Sequence, residues 1–178
     1  ERALGPFRRV VELAPESARG QRDLGTAFYR LDRLDEAVAA YRASIAIEPD
    51  DEAYSNLGTA LYYLNRCDEA IAALRKATEL APLDPVRWGN LGNACHWIEG
   101  HEAEARLAID RAIGLMQERL LLNAGMAEWW ARLSVLLANR GRREEAAVAI
   151  ARALELAPED VRCMVHAGRL HFQLGDRA

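Results

Sequence analysis

Residues 51–82 read DEAYSNLGTALYYLNRCDEAIAALRKATELAP. Leu57, Leu61 and Leu64 lie at spacings of four and three, which is one helical face. Ala70, Leu74 and Ala77 repeat that spacing on a second helix. Asn65-Arg66-Cys67 is a short polar break between them. Pro82 cannot continue a helix interior and so marks the end of the second helix. Gly58 and Ala70 are small, which lets the two helices approach closely. The stretch predicts a helical hairpin.

The same skeleton recurs on both sides. Leu24-Gly25-x2-Phe28, Ala37-x3-Tyr41 and Pro49 precede it. Leu91-Gly92-x2-Cys95 and Ala105-x3-Ile109 follow, and then Leu133-Ser134-x2-Leu137, Ala146-x3-Ile150 and Pro158. The outermost pieces are halves: Ala3-x3-Phe7 with Pro15 at the start, and Ala167-Gly168-x2-His171 at the finish. Gly5-Pro6 should fray or kink the beginning of the first helix. A fixed period of this kind is the signature of a repeat architecture.

With an aromatic or bulky residue ahead of Leu-Gly, an Ala in the second helix and a closing Pro, the pattern resembles the tetratricopeptide repeat. Tyr54, Trp88 and Trp130 supply the leading aromatic, and Gln21 departs from it. Trp88 and Trp130 read as anchors within their repeats, whereas Trp129 points elsewhere and could cover the insertion described below. The resemblance implies an all-α, right-handed α-α superhelical solenoid of helical hairpins. It divides residues 1–178 into a half repeat at 1–17, repeats at 18–50, 51–84 and 85–118, an insertion at 119–126, a repeat at 127–160 and a half repeat at 161–178. A weaker resemblance, carried by the long helix near 102–122 and the Trp-containing repeat after it, is to arrays at the C-termini of large bacterial signalling proteins. There such an array regulates a kinase, cyclase or DNA-binding domain lying outside this chain.

One place breaks the period. Leu91 to Leu133 is 42 residues, against 33 from Leu24 to Leu57 and 34 from Leu57 to Leu91. Gln117 stands where the closing proline belongs, so the helix is expected to run on through Leu120-Leu121-Leu122 to Asn123 or Gly125. Two expectations compete for the extra leucines: packing on the next repeat, or an exposed apolar edge that docks a partner. The turn around Glu99-Gly100-His101 is also one residue longer than its counterparts.

Composition narrows the function. The formal charge is −4, which argues against non-specific nucleic-acid binding. Lys76 is the only lysine, so the cations are arginines. Cys67, Cys95 and Cys163 are odd in number and far apart, which implies no disulfide framework and points to a reducing, cytoplasmic setting. No apolar run approaches the ~18 residues of a membrane helix. His96 with His101, and Cys163 with His166 and His171, lack a spacing that closes four metal ligands. No nucleophile–base or Gly-rich phosphate arrangement is present. The expectation is no enzyme, no metal and no cofactor.

The resemblance implies that the first helix of each repeat lines a concave groove. The residues just before each Leu-Gly face inward: Asp23, Asn56, Asn90, Arg132 and His166. Thr26, Thr59, Asn93, Val135 and Arg169 come one turn later. The expected peptide-binding set is Arg22, Asn56, Thr59, Tyr62, Tyr63, Asn90, Asn93, His96, Trp97, Arg132 and Arg169. An asparagine can satisfy both polar groups of an extended peptide backbone, and aromatics offer contact area at low entropy cost. Arg19, Arg22, Arg30, Arg132, Arg162 and Arg169 would favour an acidic segment, unless they are paired with neighbouring Asp and Glu. The variant of the family that clamps a C-terminal carboxylate fits poorly, with Thr26 in place of an asparagine and Val86 in place of a lysine. The expected function is protein or peptide binding. The rival is self-association through apolar end faces that include Phe7, Val11, Leu170 and Leu174.

Overall fold

In the computed structural model, residues 4–174 are described, with side chains described through residue 168. These residues form ten helices and no strands: α1 (Gly5–Leu13), α2 (Ala18–Arg30), α3 (Leu34–Ile47), α4 (Asp51–Tyr63), α5 (Cys67–Leu80), α6 (Pro85–His96), α7 (Glu102–Leu122), α8 (Ala127–Asn139), α9 (Arg143–Leu156) and α10 (Val161–Leu174). Helices α2–α3, α4–α5, α6–α7 and α8–α9 are the four hairpins that the period predicts. The chain divides into two compact units, residues 1–82 and 83–178.

Local signals set the helix ends. Four helices stop two residues before a proline: α1 before Pro15, α3 before Pro49, α5 before Pro82 and α9 before Pro158. Where Gln117 replaces that proline, α7 continues to Leu122 and has 21 residues, against 14 in α5. Ser17, Asp50 and Asp84 cap α2, α4 and α6, each accepting a hydrogen bond from an exposed backbone N–H of the first turn. Pro6 stands in the first turn of α1, where a missing N–H costs nothing. The Gly5-Pro6 pair therefore starts the helix rather than kinking it.

Each hairpin turn contains one residue with positive φ directly before the cap of the second helix: Asp32, Asn65, Gly100 and Gly141. Asn, Asp and Gly are the residues that tolerate this conformation most readily. The close approach inferred from Gly58 is real. A Cβ there would lie 2.6 Å from Leu74 Cγ and 3.0 Å from the Ala70 carbonyl oxygen. Gly25 faces Tyr41 and Gly92 faces Ile109 in the same way.

In the first unit, Leu24, Phe28, Val38, Tyr41, Leu57 and Leu61 build the core, and Val11 packs against it rather than standing open. In the second unit, Ile109, Ile113, Met116, Leu133, Leu136 and Ile150 do so. Three of the four tryptophans, Trp88, Trp129 and Trp130, pack on this second core. Leu170 and Leu174 have side chains outside the described residues.

The extra leucines divide between burial and exposure. Leu120 is buried in the second core, whereas Leu121 and Leu122 are 88% and 90% exposed. Two of the tryptophans secure the segment. Trp129 lies over the Arg119 guanidinium at 5.0 Å, and the Trp130 indole N–H donates to the Ala124 carbonyl at 2.8 Å. Covering the insertion is thus shared with Trp130 rather than left to Trp129 alone. No helix among the described residues is long and apolar enough to cross a membrane.

Candidate functional site

In the second unit the first helices α6, α8 and α10 stand in sequence, α6 against α8 and α8 against α10. This arrangement brings the inward positions of three repeats to one place. Asn90 and Asn93 of α6, Arg132 and Val135 of α8, and His166 of α10 line a cavity of about 80 Å³, together with Val86, Gly89, Met116 and Leu136. Its size suits a side-chain tip or a few waters, well below the ~300 Å³ of an ordinary cofactor site. Asn93 Oδ1 accepts from Asn139 Nδ2 at 2.8 Å, which orients the Asn93 amide. Arg132 is held by Glu128, at 2.9 Å, and Arg162 reaches the other oxygen of the same carboxylate at 3.0 Å.

In the first unit the corresponding surface belongs to α2 and α4. Tyr63 is 56% exposed and sits between two other rings, 6.0 Å from Tyr29 and 5.7 Å from Tyr62. Burial pushes the Tyr62 hydroxyl above the usual tyrosine range. Asn56 is half-buried, directly before Leu57. The Thr59 hydroxyl donates to the Ser55 carbonyl at 2.9 Å, which leaves its lone pairs for a ligand N–H.

Other expected site residues have structural partners. The Arg22 side chain is only 19% exposed, and it ties α2 to the start of α4 through Asp50 at 2.8 Å and Glu52 at 3.3 Å. Arg19 meets Asp23 at 3.7 Å, and Arg162 meets Asp160 at 3.0 Å. Most of the arginines read as an anion-attracting set are therefore already engaged with carboxylates of their own chain. His96 and Trp97 pack edge-on with ring centroids 4.8 Å apart at the end of α6, with Trp97 63% exposed. Arg169 has its side chain outside the described residues.

Tyr29, Glu128 and Asn139 also belong to these surfaces; Tyr29 and Asn139 stand at groove places that the period itself marks, the repeat equivalents of Tyr62 and Tyr63, whereas Glu128 does not. Tyr29 was visible, as the residue one repeat ahead of Tyr62. Glu128 and Asn139 act by orienting Arg132 and Asn93, and nothing in their spacing announces that role.

One further cluster was not anticipated. Cys95, His101 and Glu104 each offer a ligand atom, and the three atoms lie within 4.8 Å of one another. The sequence had set His101 beside His96, but the fold turns it toward Cys95.

Comparison with known proteins agrees with this fold. Tetratricopeptide repeat family models match residues 1–52, 52–84 and 127–160. No curated protein matches the chain. Among solved structures, YrrB, described as a TPR protein with an unusual peptide-binding site, superposes with a TM-score of 0.58 at 20% identity, over 98% of this chain and 87% of that one. TTC0263, a thermophilic TPR protein of Thermus thermophilus, gives 0.66 at 20% identity, over 89% and 83%. MamA gives 0.55 at 19% identity, over 89% of each chain. At these identities the likeness speaks for the fold alone. Together with the family matches and the four hairpins of constant design, it makes this chain a tetratricopeptide repeat protein.

Proposed function

We propose that the chain is a non-catalytic interaction module that binds peptide segments of a partner protein on the first helices of its units, chiefly α6, α8 and α10. The observation that carries this is the meeting of Asn90, Asn93, Arg132, Val135 and His166, from three successive first helices, around one small cavity. Such a cavity takes one ligand side chain, while the amides of Asn90 and Asn93 hold its backbone. In the first unit, Asn56 and Thr59 offer the same polar contacts, and Tyr62 and Tyr63 offer aromatic ones. His96 and Trp97 add a second exposed aromatic pair. YrrB, of the same fold, has a described peptide-binding site, which supports the class of ligand.

Arg22 and Arg132 act chiefly as orienting groups. An acidic ligand would have to replace Asp50 or Glu128 in pairs already made, so its charge adds little affinity. A cytoplasmic partner is expected from the cysteine usage.

The test is selection of a displayed random-peptide library on the full chain. Affinities of the selected peptides are then measured on wild type and on Asn56→Ala/Asn90→Ala, with circular dichroism showing both folded. A loss of about tenfold or more is expected, the size of one or two hydrogen bonds to a ligand. Equal affinity for both proteins would remove the inner faces from consideration.

A second reading rests on Leu121 and Leu122. Two adjacent leucines about nine-tenths exposed make an apolar contact with another chain or domain favourable. Light scattering of wild type against Leu121→Asp/Leu122→Asp distinguishes self-association from a strict monomer.

A further inference from the structure

The first, second and fourth hairpins share a three-residue device at one end. A large apolar residue of the first helix is followed by an arginine that caps the second helix, and a glutamate three residues on. These are Phe28, Arg33 and Glu36; Leu61, Arg66 and Glu69; and Leu137, Arg142 and Glu145. In each, the arginine pairs with the glutamate: Arg33 Nε with Glu36 at 2.9 Å, Arg66 Nε with Glu69 at 2.8 Å, and Arg142 Nε with Glu145 at 2.6 Å. In the first hairpin the arginine also lies over the apolar residue, with the Arg33 guanidinium 4.9 Å from the centre of the Phe28 ring.

In the third hairpin the same three places hold Cys95, His101 and Glu104. The apolar residue has become a thiol and the arginine an imidazole, while the glutamate is kept. His101 Nδ1 lies 3.2 Å from Glu104 Oε2, and the Cys95 thiol completes a group within 4.8 Å. The turn is rebuilt as well. In the sister hairpins the cap N–H donates back to the apolar residue's carbonyl, at 3.0 Å from Arg33, 2.9 Å from Arg66 and 2.8 Å from Arg142. Here Cys95's carbonyl accepts instead from Ile98, and His101 donates to Ile98. One extra residue therefore frees the cap from its usual backbone bond.

We propose that Cys95, His101 and Glu104 form a binding site for a thiophilic divalent ion of the Zn²⁺ class. The donor set of thiolate, imidazole and carboxylate is the set that Zn²⁺ takes. Tetrahedral Zn²⁺ places such donors roughly 3.3–3.8 Å apart, so closing this group moves side chains by about 1 Å. Cys95 is fully buried, and His101 and Glu104 are half-buried, with side-chain exposures of 26% and 27%. On binding, the Cys95 thiol gives up its proton to solvent and the thiolate takes the ion, with His101 and Glu104 as the more accessible donors. Two ligand-type residues replacing Phe or Leu and Arg at places where the fold already joins them is more than chance placement of a cysteine.

The test uses the full chain in reductant with Cys67→Ser/Cys163→Ser as background, freed of metal by a chelator and titrated with Co²⁺. A thiolate-to-cobalt charge-transfer band saturating at one ion per chain, and abolished by Zn²⁺, is expected. Cys95→Leu and His101→Arg install the residues that the sister hairpins carry, so both keep the fold. Each should weaken the ion by more than the roughly 10–100-fold that loss of an outer-sphere partner costs. X-ray absorption of the Zn²⁺-loaded wild type, which needs no variant, should show one sulfur among nitrogen and oxygen scatterers. Absence of the band at all Co²⁺ concentrations, or an unchanged Co²⁺ affinity in either variant, overturns the proposal.

Discussion

The second and third hairpins, α4–α5 and α6–α7, share one frame and differ at its two ends. Both bring a glycine, Gly58 or Gly92, against a bulky residue of the second helix, Leu74 or Ile109, at distances that exclude a Cβ. Both place Asn56 or Asn90 at the same inward position. At the turn end, Leu61, Arg66 and Glu69 give way to Cys95, His101 and Glu104. At the other end, α5 stops before Pro82, while α7 continues past Gln117 to Leu122. The packing that defines the repeat occupies the middle of each hairpin. The ends differ more: each keeps a buried residue, Leu61 or Cys95 at the turn and Leu120 in the extension, beside exposed positions that vary.

The largest expected effect tests the extended end. Leu120→Ala should destabilise the chain by about 2–5 kcal/mol, because it empties a filled core position. Leu121→Ala, one residue on, should stay within about 0.5 kcal/mol. Denaturant melts that show equal losses would mean that the extension is not packed as described.

The shared frame comes next. Gly58→Val and Gly92→Val should each cost about 1–3 kcal/mol, through overpacking against Leu74 and Ile109. Gly114→Ala, where no atom lies near the added Cβ, should instead stabilise by up to about 1 kcal/mol through helix propensity. Thermal unfolding separates the signs, and a tolerated Gly92→Val would break the equivalence of the two hairpins.

A smaller loss, about 1 kcal/mol, is expected for Tyr41→Phe. It removes the hydroxyl bond to Thr26 at 3.3 Å beside Gly25, the counterpart of Gly58 in the first hairpin.

The smallest effect concerns the turn ends. The Arg66 hydrogen bond holds Glu69 below the usual glutamate range, and Arg33 and Arg142 do the same for Glu36 and Glu145. A carboxyl with a lowered folded pKa adds stability above its unfolded value, near pH 4.3, and loses it as pH falls through the folded value. Exposure of these pairs keeps the effect slight. Carboxyl NMR titration of Arg66→Ala should show Glu69 returning upward, with Glu36 and Glu145 unmoved.

Much of the fold was legible because it depends on short-range rules. Leu57 and Leu61 show a helix face, Pro82 a stop, and Gln117 a missing stop, and each acts through its own helix. The inward places of Asn90, Asn93 and Arg132 followed from the period. What those side chains touch did not follow. Arg22 reaches Asp50 and Asn139 reaches Asn93 across 28 and 46 residues. No spacing within one helix encodes such pairs.

By itself the sequence determined the number of hairpins, their ends, and the long α7, since periodicity and capping are local properties of the chain. Only the tertiary structure decided that Leu120 is covered while Leu121 and Leu122 are not, that most of the inner arginines are spent on their own carboxylates, and that Cys95 meets His101 and Glu104. Those outcomes depend on which faces of two helices meet. That is fixed by close packing between segments distant in the chain, where a single helix position turns a side chain by about 100°.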